Sequence, residues 1–421
     1  MPFKYELTKG QDEGYHMFAK FFMDPMENVM LLKGWSGTGK STLIQYILEK
    51  VPKLNDMIRL ADQSHKPMDI LLTATTNQAA EALYTSIDMM MNTGTIHSAL
   101  SLILMTDYKT GKKRLTVKRG AAPVENTLIV IDEASFIDQD LLGLIFQQTR
   151  NCKIIFVGDP GQLTPITSTY MPAFKLDKNQ IELTQPVRQK PDTPLSLLIS
   201  NLRDTVFTGN WHKFGVDGDM IHHVDQASFE SMAYQAFTTP DKAGTSKILA
   251  YTNNTVDHYN KLMTHQIDGE SEPYPGQRMV CNERCDIGSD SINNGQEVFL
   301  ETVRAGTEFD VEGYFVTIRN KQGEFFMPKS LKAWKTRLKK AQAEDDWSAM
   351  KIIQDQWADL RPTYACTVNK SQGSTFNTGF IDLNDICAKV RTGDQLARLL
   401  YVGVSRFRDR VIFTGDMQVK G

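Results

Sequence analysis

The chain has 421 residues, 41% of them apolar and 23% charged, with a formal net charge of −3. That composition is ordinary for a globular protein and leaves room for about two to four domains with full cores. It argues against a surface coated in positive charge for duplex DNA, but not against a local groove that grips one strand.

No apolar run reaches the roughly 18 residues that a transmembrane helix needs, so no membrane span is expected. The opening MPFKYELTKGQDEGYH has mixed charge and no apolar core, so it does not read as a signal peptide. Five scattered cysteines point to a reducing compartment rather than a disulfide framework. Cys281 and Cys285 are close in sequence, but no second pair or nearby histidine completes a zinc site.

Residues 1–170 alternate short apolar runs with helical patterns, which predicts a parallel sheet of βαβ units. Buried strands are expected at Asn28–Lys33, Asp69–Thr73, Thr127–Ile131 and Lys153–Gly158, with ligands at their carboxyl ends. After the first strand, Gly34-Trp-Ser-Gly-Thr-Gly-Lys40-Ser41 fits a P-loop. The helix that follows carries Leu43, Ile44, Ile47, Leu48 and Val51 on one apolar face. Gly34, Gly37 and Gly39 let the backbone curl around phosphates, with Thr38 and Thr42 in the same turn. Lys40 is placed for the β- and γ-phosphates of ATP, and the Ser41 hydroxyl for Mg²⁺.

Residues 98–126 hold KTGKKRLTVKRG, with Lys109, Lys112, Lys113, Arg114, Lys118 and Arg119 and no acid among them. A turn at Thr110–Gly111 and the alternating RLTVK predict a small basic hairpin; a solvated charged loop is the alternative. Leu128-Ile-Val-Ile-Asp132-Glu133 then reads as a buried strand that delivers two carboxylates. Asp132 would hold Mg²⁺ through water, and Glu133 would accept a proton from the attacking water.

A second set of strands, Lys247–Tyr251, Gly379–Leu383 and Arg410–Thr414, predicts a second α/β domain. Between them, residues 279–330 carry short β-like runs that suggest a small barrel of SH3-like size. From Ser330 to Leu360 the pattern turns helical, and Trp334, Trp347 and Trp357 are expected to pack a helix rather than stack bases.

With these residues in view, most of the chain resembles the superfamily 1 helicases. Val157-Gly-Asp159-Pro-Gly-Gln162-Leu-Thr-Pro165 resembles motif III, Thr367-Val-Asn369-Lys370-Ser371-Gln372-Gly373 motif V, and Leu400-Tyr401-Val-Gly-Val-Ser-Arg406 motif VI. Leu7-Thr8-Lys9-Gly10-Gln11 resembles the Q motif, Ala74-Thr75-Thr76-Asn77 motif Ia, Thr95-Ile96-His97-Ser98 the next DNA-contact motif, and Glu182–Arg188 motif IV. The phrases TIHS, NKSQG and YVGVSR resemble the 5′→3′ RecD-like branch (superfamily 1B), and the compact length its Dda-type phage members.

The resemblance implies two RecA-like P-loop domains, with the hairpin and the barrel as insertions. Its boundaries would be 1–97 with 127–187, hairpin 98–126, 188–278 with 363–421, and barrel plus helices 279–362. It implies a catalytic set of Lys40, Glu133, Gln162, Arg188 and Arg406, with both arginines acting on the γ-phosphate. Gln11 would read the adenine edge, and Gly373 would border the nucleotide. Thr75, Thr76, Asn77, His97, Lys113, Arg114, Asn369, Lys370 and Ser371 would meet nucleic acid. For Gln11 a plain surface glutamine, and for His97 a core or surface histidine, is the alternative.

Two positions depart from the branch: Asn369 stands where histidine is usual, and Thr76-Asn77 where Pro-Thr is common. Both bear on strand grip rather than hydrolysis. The implied activity is ATP-driven translocation on single-stranded DNA and unwinding of forked duplex. A translocase that displaces proteins without unwinding, or an RNA helicase, fits the same motifs. A monomer in the cytoplasm of a bacterial or phage-infected cell is expected, with single-strand-binding or replication proteins as further partners.

Overall fold

The computed structural model describes residues 6–417 except 78, 81–82, 84–86, 88–92, 107–112, 166–169, 177–178, 188–191, 240–241, 243 and 288–289. Its strands form two parallel sheets and one antiparallel sheet, plus two short antiparallel pairs and one short parallel pair.

The first sheet has six strands in the order Asn179–Leu183, Val29–Gly34, Lys153–Gly158, Thr127–Asp132, Asp69–Ala74 and Thr93–Thr95. All its neighbours run parallel. The three central strands are the apolar runs read from the sequence, and they are buried because helices and loops cover both faces. On one face Phe18, Phe22, Leu43 and Ile47 pack against Met30, Leu32, Leu128 and Val130. On the other, Ile137, Leu141 and Ile145 pack against Leu31, Ile129, Ile131 and Phe156. Each such side chain contributes about 1.5–3 kcal/mol through burial, so the sheet is a rigid platform for the loops at its carboxyl edge.

The second sheet has five parallel strands in the order Ile221–Val224, Phe407–Thr414, Phe376–Asp382, Ser246–Ala250 and Ala365–Thr367. The α/β class with two parallel sheets is thus as the sequence predicts. Each predicted strand of this second set falls within an observed one or overlaps it, and the ends differ by up to three residues.

The insertions differ in detail. Leu102–Thr106 and Lys113–Val117 pair antiparallel from Leu102↔Val117 to Thr106↔Lys113, while the predicted Thr110–Gly111 turn lies outside the described residues. The expected barrel is a five-stranded antiparallel sheet ordered Glu324–Pro328, Val311–Ile318, Glu297–Glu308, Arg278–Cys281 and Leu360–Pro362. Its two end strands come together where Phe326 bridges Trp357 and the Ala358 amide donates to Phe326 O at 2.8 Å, just before Leu360–Pro362, so the sheet curls toward the expected barrel. Helices Leu331–Ala343 and Trp347–Asp355 accompany it. Trp334 and Trp357 are buried, with ring centroids 5.7 Å apart, and Trp357 lies 4.9 Å from Phe326. Trp347 departs from the expectation: as the first residue of its helix it is 57% exposed. No described helix is long and apolar enough to cross a membrane.

Candidate active site

The P-loop leaves the carboxyl end of Val29–Gly34 and runs into the helix Lys40–Ala61. Gly37 and Gly39 have φ of 78° and 77°, the left-handed region that a Cβ disfavours. At Gly39 a Cβ would also lie 2.4 Å from the Gln11 side chain. Among the described α-helices this is the one whose N-cap makes no side-chain bond; Ser, Thr or Asp side chains cap the others. The amides of its first turn therefore stay directed at the loop, where an anion suits them.

Around that turn lies a cleft of about 580 Å³ lined by Ser36–Thr42, Asp132, Glu133, Gln162, Val187, Gly373 and Arg406, with Thr375 and Arg408 at its border. It gathers loops from both parallel sheets. A larger cleft of about 1000 Å³ lies at the opposite, amino end of the first sheet, around Glu27, Asn126 and Arg150. The first is the candidate site, because in such sheets the loops that carry chemistry follow the strands' carboxyl ends.

Lys40 Nζ donates to the carbonyl oxygens of Gly34 and Trp35, both at 2.9 Å. Asp132 ends the strand Thr127–Asp132, and its carboxylate accepts the Glu133 amide at 2.8 Å. Glu133 itself sits at φ 52°, a left-handed corner that turns its side chain into the cleft. Burial first, then the charge of Asp132, pushes the Glu133 carboxyl up to about 7. One of its oxygens is buried without a hydrogen-bond partner. An acid poised near neutrality with a spare acceptor is suited to take a proton from water.

Arg406 reaches the cleft from the second sheet's side. It is 3% exposed; its Nε donates to Val402 O at 3.1 Å, and its Nη2 to Ser36 Oγ and Ser405 Oγ, each at 3.0 Å. Gln162 Oε1 accepts from Gln372 at 3.2 Å, so motifs III and V meet beside the P-loop. Arg398 donates to the carbonyls of Pro160 and Gln162, and Tyr401 hydrogen-bonds both Asp159 and the Ser36 amide. Arg188 lies outside the described residues; the amide of its neighbour Val187 donates to Gly37 O at 2.7 Å.

Gln11 lies against the P-loop. Thr8 caps the first helix, and the Gln11 Oε1 accepts the Thr8 amide in a capping box. Its Nε2 donates to Gly39 O at 3.1 Å. Both ends of the amide thus tie the helix to the P-loop, and the side chain is buried rather than a surface glutamine.

The expected nucleic-acid residues divide. Asn77, Arg114 and Asn369 are exposed; Thr76 is half-buried and caps the following turn through Ala79 N; His97 is half-buried. Burial lowers the His97 imidazole from its ordinary value, against the opposing pull of Asp138. Lys113 begins its strand, opposite Thr106. Of the other expected residues two face inward, and a third is tied to a neighbouring side chain. The Thr75 side chain is buried and donates to Glu133 O at 3.1 Å, so it braces the carboxylate corner. Ser371 is fully buried, and its hydroxyl donates to Val368 O. Lys370 turns its ammonium to Asn282 of the antiparallel sheet, which is itself bonded to Asp359. In the short 3₁₀ turn Asn369–Ser371 only Ser371 faces inward, and spacing alone does not reveal that.

Comparison with known proteins agrees with this geometry. A family described as an AAA domain matches residues 7–226, more than half of the chain. An uncharacterized protein of Acanthamoeba polyphaga mimivirus is 20% identical across 94% of this chain and 97% of its own. The RecD subunit of the RecBCD enzyme of Buchnera aphidicola is 28% identical over 34% of this chain and 24% of its own length. Among solved structures, the Pif1 helicase of Candida albicans has a TM-score of 0.53 at 16% identity, covering 98% of this chain and 95% of that one. Bacteroides Pif1 bound to ssDNA also has a TM-score of 0.53, at 15% identity, covering 99% and 93%. The chain therefore belongs to the AAA domain family, and it shares the fold of the solved Pif1 helicases.

Proposed function

We propose that this chain is an ATP-dependent DNA helicase that translocates 5′→3′ on a single strand and unwinds forked duplex. The observation that carries the reading is the 3.0 Å contact of Arg406 with Ser36, which closes one phosphate cleft from two separate parallel sheets. Such a cleft can couple hydrolysis to a relative movement of the two sheets. The solved Bacteroides Pif1 bound to ssDNA supports DNA as the substrate.

In the proposed reaction water attacks the γ-phosphorus, ADP leaves, and Glu133 takes the proton. Lys40 exchanges its loop carbonyls for phosphate oxygens, Gln162 senses the γ-phosphate, and Arg406, with Arg188, meets the charge spread over the transferring group. The donors present fit Mg²⁺: Ser41 and Asp132 offer oxygens only, and no described cluster of three His, Cys, Asp or Glu competes as a transition-metal site. Bound there, Mg²⁺ would neutralise charge between the phosphates. The proposed domains are 1–97 with 127–187, 98–126, 188–278 with 363–421, and 279–362, in a monomer of the cytoplasm.

The test is ATP hydrolysis with and without single-stranded DNA or matched RNA, followed by unwinding of forks with 5′ or 3′ tails. Stimulation by DNA, its loss in Lys40→Ala, and unwinding from 5′ tails are expected. Preference for RNA would reassign the substrate, stimulation without unwinding would leave a translocase, and no stimulation would overturn the motor.

Strand grip is predicted to fall on Asn77, His97, Arg114 and Asn369 rather than on Lys370. In Lys370→Met the slope of log affinity against log salt should stay unchanged. A slope smaller by about 0.7 would return Lys370 to the phosphate contacts.

A further inference from the structure

Ser36 of the P-loop is held at two points by one stretch of the second sheet's domain. Its amide donates to the Tyr401 hydroxyl at 3.1 Å, and its own hydroxyl accepts from Arg406 at 3.0 Å. Tyr401 lies in the last turns of the helix Gly393–Val404, and Arg406 follows just beyond it. The phenol has one proton to give, and Asp159 takes it at 2.5 Å, so the oxygen's lone pairs are left for Ser36. Asp159 is fully buried and is fixed in turn by the Gly161 amide at 2.8 Å and by Arg203 at 3.8 Å. Arg203 also lies 4.5 Å over the ring of Trp35, the P-loop residue before Ser36. The hydroxyl is therefore oriented from both sides, with no freedom to point elsewhere.

We propose that Tyr401 is a positioning residue for ATP hydrolysis: its hydroxyl fixes the Ser36 backbone and so sets Arg406 in register with the γ-phosphate. The proposal rests on the ATPase reading above. Tyr401 itself is set back from the cleft, so its effect passes through Ser36 and Arg406. A displacement of about 1 Å at a reacting centre can cost about 100-fold in rate.

The experiment is steady-state hydrolysis by the full chain with single-stranded DNA, comparing wild type, Tyr401→Phe, Arg406→Ala and the double variant. Tyr401→Phe keeps the ring and removes one oxygen. It is expected to lower kcat by about 10- to 100-fold, with KM for ATP within about threefold because Lys40 and the helix N-terminus still hold the phosphates. The double variant is expected to be no slower than Arg406→Ala alone, since one residue acts through the other. Normalising rates to bound fluorescent ADP separates this from a loss of folded protein. If Tyr401→Phe does not fold, Asp159→Asn, which keeps an acceptor for the hydroxyl but loses its charge, carries the same comparison and is expected to lower kcat by a smaller factor. A wild-type kcat in the single variant, or independent losses that multiply in the double, would overturn the proposal. Absence of hydrolysis in the wild type would instead remove the ATPase reading and this proposal with it.

Discussion

Replacing Arg406 with alanine is expected to lower the rate of ATP hydrolysis about 10³- to 10⁵-fold while nucleotide still binds. The reason lies in where the charge sits. Arg406 is buried, yet its hydrogen bonds go to a carbonyl and two hydroxyls, none of which is a formal anion. Glu133 lies near enough to pull on it electrostatically. A guanidinium kept in so dry a place without a bidentate carboxylate is held ready for an anion that arrives in the cleft. Arg406→Lys should not restore the rate, because a single ammonium cannot reproduce the planar fork. Single-turnover hydrolysis beside fluorescent nucleotide binding makes the test. A loss smaller than about tenfold would show that Arg406 organises the loop and does not meet the transferring phosphate.

Glu133→Gln should cost about 10²- to 10⁴-fold in kcat with nucleotide affinity kept, because the amide preserves shape and removes only the proton acceptor. The variant should accumulate with ATP bound and still hold single-stranded DNA. The left-handed corner at Glu133 is fixed by backbone bonds on both sides, from Thr75 N to Asp132 O and from Phe136 N to Glu133 O, so the substitution leaves the loop in place. If the glutamine variant turned over at about a tenth of the wild-type rate or faster, another group would have to take the proton.

Much of this architecture could be read directly from the sequence, for identifiable reasons. Strands such as Thr127–Asp132 and Lys153–Gly158 are buried on both faces, so they are written as unbroken apolar runs. The P-loop is contiguous, and its glycines are required by local backbone geometry. What escaped was nonlocal. Tyr401 and Asp159 both fall within recognised motifs, but nothing in either segment says that they meet across 242 positions. Arg203 lies in no motif at all; an arginine on an otherwise apolar helix face, beside Leu202 and Val206, was the available signal. Arg408 also lines the cleft, but two residues beyond motif VI and exposed, it looks in sequence like any surface arginine. The motifs of Thr75 and Ser371 point to nucleic acid, whereas these two side chains bond the protein's own backbone.

The antiparallel sheet enters and leaves its host through strands that are themselves a ladder: Met279 lies opposite Pro362, Val280 opposite Arg361 and Cys281 opposite Leu360. The two crossing points are thus zipped side by side, and the host sheet resumes at Ala365–Thr367. A segment with so narrow a neck behaves as a cassette. It can be lengthened, exchanged or trimmed to a short turn at the cost of one loop closure, which changes only slowly with loop length. The bond from Lys370 to Asn282 is then the tie by which the cassette's presence is felt at motif V. Variation can accumulate in the cassette while the phosphate cleft stays fixed.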